Sequence, residues 1–265
     1  MGNASEAAGR AGLLKVETSG SVLTVGLNRP AKRNALNDGI ILAIGDCFAD
    51  IPEGIGAVVI HGVGDHFSSG LDLSELTEQD ATDGLRHSQM WHRVFDRIQY
   101  SRVPVIAALK GAVIGGGLEL ACAAHIRVAE PSAYFALPEG QRGIFVGGGG
   151  SVRLPRLIGV ARMTDMMLTG RVYSATEGAS YGFSQYLTEE GGALAKAMEL
   201  ATKVAANAPL TNFAVLQALP MIAEANPQTG LLMESLMATV AQSDKEAKRR
   251  IRAFLDRKTA KVKPA

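Results

Sequence analysis

The sequence predicts an α/β layered core that gives way to an all-helical C-terminal region. Two observations carry this reading. From residue 14 to residue 129, short apolar runs alternate with polar or glycine-rich loops and with segments of helical spacing. That order, strand then loop then helix, favours layered sheets with crossover connections. Beyond Gly150 one helical pattern follows another.

Residues 14–18 and 22–27 are β-branched runs either side of Ser19, Gly20 and Ser21, which predicts a hairpin. Residues 28–36 form a polar loop stiffened by Pro30, after which Asn37 and Asp38 cap a helix reaching Ala49. Residues 57–61 read as a buried strand ending in a loop with three glycines and two serines, 62–72. Met90, Val94, Phe95 and Ile98 recur at helical spacing within 85–100. A strand over 105–109, a helix over 116–124 and a strand over 126–129 follow. Helices are then expected over 160–169, 175–181, 193–207, 210–224 and 229–242. Ser243 and Glu246 have the spacing of a capping box that opens a last, basic helix to about Lys258.

Composition narrows the function classes. Of 265 residues, 47% are hydrophobic and 20% charged, and 27 basic residues face 26 acidic ones for a net charge of +1. That balance recommends no polyanion as a general partner. Cys47 and Cys122 lie far apart in apolar contexts without CxxC or His-rich spacing, so they read as buried thiols, and no metal site is expected. No apolar run approaches the ~18 residues of a membrane span, and the N-terminus lacks a signal-peptide pattern, so the expected location is the cytoplasm.

The stretch from Val105 to Gly150 concentrates the chemistry. A strand pattern runs into Gly115-Gly116-Gly117, which opens a helix carrying Glu119 on its first turn among Leu118, Leu120, Ala121 and Cys122. Glycine lets a backbone approach a ligand, and the first amides of a helix are free donors. A carboxylate buried there would have a raised pKa and could hold a proton. Glu139 follows Pro138 in a loop-like position; the bland alternative for it is an ordinary loop glutamate. Two carboxylates near one helix start could hold a water between them. Ser69-Gly70, closing the loop after the third strand, could add a second backbone donor, where the bland alternative is a plain turn. Gly147 to Gly150 lacks the Gly-Lys-Ser/Thr ending of a P-loop, and Gly115 to Gly117 lacks the dinucleotide fingerprint. The five histidines show no metal-binding spacing.

In order along the chain, residues 28–36, 67–72, 115–119, 135–139, 168–170 and 253–258 resemble the crotonase (enoyl-CoA hydratase/isomerase) superfamily. The resemblance implies a ββα spiral core over 13–205 and a helical trimerisation region over 206–265, while residues 1–12, lacking any apolar pattern, are expected to be a disordered tail. It also implies a homotrimer or dimer of trimers and an acyl-CoA thioester as substrate, with no separate cofactor. Carried over by position, Glu119 and Glu139 are the catalytic pair, and the N–H groups of Ser69 and Gly116 form the oxyanion hole. The CoA-binding set is Arg29, Ala31, Lys32, Ser69, Leu71, Asp72, Leu73 and Arg257. The substrate pocket comprises His87, Met90, Trp91, Gly115, Arg142 and Gly147.

Both glutamates together favour a hydratase. Family isomerases often keep only the carboxylate matching Glu139, hydroxycinnamoyl-CoA hydratase-lyases lack the one matching Glu119, and dienoyl-CoA isomerases carry an aspartate where Gly147 stands. Isomerase, acyl-CoA hydrolase or C–C lyase activity is the alternative within the family. Val146, where hydratases commonly have proline, and the polar pair Gln141-Arg142 depart from the family pattern and leave the acyl group open; the aromatics of 80–100 would suit a branched or ring-bearing chain. A non-catalytic RNA-binding role would require a basic comb along one helix, and the helix over 37–49 has no lysine or arginine. Nucleic acid and membrane are therefore not expected partners.

Overall fold

The computed structural model describes residues 12–75 and 80–256. By internal contacts the chain forms two compact units, divided after Ala205.

The first unit opens with the antiparallel hairpin of β1 (Leu14–Ser19) and β2 (Val22–Leu27). After a 3-10 turn at Pro30–Lys32 comes α1 (Asp38–Ala49), whose Asn37 cap accepts the Ile40 N–H. Then follow β3 (Ala57–Gly62), α2 (Ala81–Gln99), β4 (Val105–Leu109), β5 (Ala112–Ile114), α3 (Gly116–Ala123), β6 (Ile126–Ala129) and β7 (Tyr134–Ala136). The unit closes with α4 (Gly150–Ile158), α5 (Val160–Thr169), β8 (Tyr173–Ser174), α6 (Ala175–Tyr181), β9 (Tyr186–Leu187) and α7 (Ala193–Ala205).

Six strands make one sheet in the order β1-β2-β3-β4-β6-β9, parallel from β2 onward. A second sheet, β5-β7-β8, stands beside it. Both faces of the larger sheet are covered, which is why β3 and β4 read as continuous apolar runs instead of alternating ones. Side chains still divide with a period of two. Val58, Ile60, Val105, Ala107 and Leu109 join the main core, while Ala57, Val59, Ile106 and Ala108 meet Ala197, Leu200 and Ala201 of α7. Burying side chains such as Val105, Ile106 and Leu109 completely contributes about 1.5–3 kcal/mol each.

The second unit contains α8 (Pro209–Phe213), a π-helical turn (Ala214–Ala218), α9 (Leu219–Glu224), α10 (Pro227–Ser243) and α11 (Lys245–Leu255). The single helix expected over 210–224 is thus interrupted. Pro220 has no N–H to give the preceding turn, and the backbone widens just before it. The cap of α11 also differs from expectation. Asp244 accepts the N–H groups of Glu246 and Ala247, while the Ser243 hydroxyl is spent on the Val240 carbonyl. Likewise α2 starts at Ala81, four residues before the expected start, because Asp80 caps Thr82 and Asp83. Among the described residues no helix is long and apolar enough to cross a membrane. The expected tail falls almost wholly outside the described residues.

Candidate active site

All eight residues of α3 are buried, so Glu119 on its first turn has no solvent-facing surface to occupy. Its Oε1 accepts two backbone N–H groups, from Gly148 at 2.8 Å and from Gly150 at 2.7 Å. Burial raises its pKa, against the opposing pull of the Gly150, Gly148 and Gly147 amides and the Arg153 charge. The glycines permit this approach. A Cβ on Gly150 would stand 2.8 Å from Glu119 Cγ, and one on Gly148 would stand 2.9 Å from the Phe95 ring.

Glu139 leaves β7 through Pro138 and stands at the head of a 3-10 turn, Gly140–Arg142. Its carboxyl is buried, and Oε2 has no hydrogen-bond partner among the described residues. Oε1 lies 2.5 Å from where a Gly115 Cβ would stand, and Gly115 adopts a φ of 53° that disfavours any side chain. Burial pushes the Glu139 pKa up to about 7; its own backbone amide opposes the rise, the Glu119 charge adds to it and Arg142 opposes it.

Both carboxylates open onto one cavity of about 400 Å³. Its wall includes five of the six expected pocket residues: His87, Trp91, Gly115, Arg142 and Gly147. Met90 is not among them, because on α2 it turns toward the main core. Gln141, next to Arg142, faces away and donates to the Thr169 carbonyl. Val146, singled out in the sequence as a departure bearing on the acyl group, also lines the space, as do Ser88, Ile144 and Phe145, which were not anticipated. Ser88 could have been inferred from its position on the turn of α2 before Trp91; the 144–146 segment carries no periodic signal.

The backbone donors correct one expectation. The Ser69 N–H is already donated to the Arg33 carbonyl at 3.0 Å, so it is not available to a ligand. Two residues on, the Leu71 N–H has no acceptor among the described residues, and neither does that of Gly116. These segments abut. A Cβ on Gly70 would lie 3.3 Å from Gly116 N, and one on Gly116 would lie 3.5 Å from Leu71 N and 2.8 Å from the Trp91 ring. An isolated parallel bridge between Leu36 and Leu71 holds the 67–72 loop in place. Which amide in the 67–72 loop stays free depends on the carbonyl of a distant loop, and no local pattern announces it.

Of the expected CoA-binding residues, Asp72 is buried and binds Arg29 at 2.9 Å and Lys32 at 3.0 Å. The Ser74 hydroxyl, with Lys32 and Arg29, holds the Asp72 carboxyl well below the usual carboxylate range. Ala31 and Leu73 are exposed, and Leu73 reaches the cavity wall. Arg257 lies outside the described residues.

Comparison with known proteins finds relatives over nearly the whole chain. A family model described as enoyl-CoA hydratase/isomerase matches residues 17–264. A 2,3-dehydroadipyl-CoA hydratase of Escherichia coli is 34% identical over 246 residues, covering 91% of this chain and 95% of that protein. A short-chain-enoyl-CoA hydratase of Clostridium acetobutylicum is 31% identical over 246 residues, covering 92% and 94%. A crystal structure from Rhodopseudomonas palustris, provisionally named an enoyl-CoA hydratase, superposes with a TM-score of 0.91 at 81% identity, covering 94% of this chain and 97% of that one. The two sheets followed by C-terminal helices are the crotonase architecture, and the chain belongs to the enoyl-CoA hydratase/isomerase family.

Proposed function

We propose that this protein is an enoyl-CoA hydratase that adds water across the 2,3 double bond of an enoyl-CoA thioester. One observation carries the reading: two buried carboxyl groups share a cavity with two backbone N–H groups that have no acceptor among the described residues. The thioester carbonyl would sit between the N–H groups of Leu71 and Gly116, the first replacing the expected Ser69. Each such donor contributes about 2.7–4 kcal/mol to an oxyanion-like transition state. The positive end of α3 favours the same developing charge.

The carboxyls differ in a way that divides the work. Glu119, held by two amides, is suited to take a proton from water as its oxygen bonds to carbon 3. Glu139, with its unpaired oxygen and a pKa near 7, is suited to carry the proton that carbon 2 receives. The products balance: one water is consumed, one C–O and one C–H bond form, and the enzyme ends one proton transfer from its starting state. Lys32, half exposed and paired with Asp72, would lie along the CoA path. Assembly as a homotrimer or dimer of trimers belongs to the same reading.

The test follows loss of the conjugated thioester absorbance over short, long, branched, aromatic and carboxylate-bearing enoyl-CoAs, with Glu119→Gln and Glu139→Gln alongside. Each variant is expected to lose about 10²–10⁴ in rate. Wild-type rates in both would sink the two-carboxylate assignment. Release of free CoA or of an aldehyde would move the protein to the hydrolases or lyases of the family.

A further inference from the structure

Glu119 is held by amides of residues 147–150, and these peptides are themselves held from behind. The peptide joining Gly147 and Gly148 gives its N–H to Glu119 Oε1, while its carbonyl, on the opposite edge, accepts the Ser88 hydroxyl at 2.7 Å. Because a trans peptide is planar with its C=O and N–H opposed, fixing one direction fixes the other. The peptide joining Gly149 and Gly150 is pinned in the same way. Its carbonyl accepts the Val152 and Arg153 N–H groups of the first turn of α4, and its N–H reaches Glu119. The peptide between them is caught by Arg153, whose Nη1 donates to the Gly148 carbonyl at 3.0 Å.

Arg153 is anchored in turn. Its Nη2 binds Asp96 at 2.6 Å and its Nε binds the Gln99 side chain at 2.5 Å, both on α2, while its own side chain is only 9% exposed. An arginine so enclosed, with three directed bonds, is a strut, and glycine is the residue type least able to hold these peptides by itself.

We infer that Ser88 and Arg153 are positioning residues that brace the glycine run from α2 and α4, so that both amide hydrogens point at Glu119. The inference rests on the reading of Glu119 as the group that takes the proton from water. Groups with charge or protons that face Glu119 are Arg153 on α4, Glu139 across the cavity and Cys122 on its own helix. Behind them stand Asp96, paired with Arg153, and His92, whose ring lies 3.4 Å from the Ser88 hydroxyl.

The brace makes a prediction of sign. Ser88→Ala releases the peptide that feeds Glu119, and Arg153→Met removes both a peptide anchor and a positive charge. Each is expected to move the Glu119 titration, and with it the acidic limb of the kcat profile, upward by roughly one pH unit. Asp96→Asn keeps an oxygen acceptor for Arg153 Nη2, so the strut stays anchored, but it leaves the arginine charge less compensated and is expected to move the titration downward. In the first two variants kcat should fall about tenfold with KM nearly unchanged, the mark of an interaction made in the transition state. Ser88→Thr, which keeps the hydroxyl, should restore most of the loss.

The Glu119 titration can be read without turnover, as the carboxyl infrared difference between each protein and its Glu119→Gln counterpart. Should Arg153→Met not fold, Ser88→Ala and Asp96→Asn still carry the two opposite signs. An unmoved titration, or a shift of the same sign in both, overturns the brace. Infrared shifts of the expected signs without any thioester hydration would leave the brace standing and sink the hydratase reading. Hydration abolished by Glu119→Gln with no infrared shifts would do the reverse.

Discussion

Glu139 shows what one buried carboxyl does to the stability of its own fold. In the unfolded chain it titrates near 4.5, and in the folded chain near about 7. Between those values the folded protein keeps a proton that the unfolded chain has lost, so this group's contribution to stability falls as pH rises through the interval. Below it there is no penalty; above it the penalty is complete. Glu139→Gln is therefore expected to stabilise the protein above about pH 8, by up to about 3 kcal/mol, and to change nothing near pH 4. Urea denaturation at the two pH values measures this, and an unchanged midpoint at high pH would refute it. Asp72 has the opposite sign. Its pKa is held below the usual range by Ser74, Lys32 and Arg29, so its stabilisation is present above the ordinary carboxylate pKa and fades as pH falls.

At the level of elements, the turn chemistry and the apolar runs decided most boundaries, and side chains that fix a cap decided the rest. The helix over 175–181 and the strand over 126–129 occur where their residues place them. The capping-box spacing at Ser243 was misleading because aspartate, one position on, competes for the same amides and accepts more strongly once ionised. Asp244→Ala should therefore lower stability by about 0.5–2 kcal/mol and Ser243→Ala by much less, measured by thermal melts. Equal effects would restore the sequence-based cap. Glu119 was legible for a related reason, since an acidic residue inside a helix without a polar face conflicts with its surroundings, whereas Glu139, in a loop-like position, was singled out by its pairing with Glu119 and by the family resemblance. The Leu71 amide was not, since a backbone donor is identified by what has not consumed it. That depends on Arg33, more than thirty residues away along the chain.

At the level of the whole molecule, α10 presents Leu232, Leu236 and Val240 at intervals of four, one helical face with the two leucines 62% and 58% exposed. Leu231 adds a fourth apolar side chain at the edge of that stripe. Under the trimer reading this face is covered by other copies of the chain. Leu232→Glu combined with Leu236→Glu is expected to reduce the sedimenting mass to that of one subunit, whereas an unchanged mass would place the contact elsewhere.

The chain contains a single tryptophan, and Trp91 packs its ring against the backbone of Gly116 while lining the cavity. All indole emission from this protein thus originates beside the proposed thioester carbonyl. Ultraviolet fluorescence becomes a label-free gauge of that one location, reporting occupancy by a ligand and the closing of the 67–72 loop against α3 during refolding.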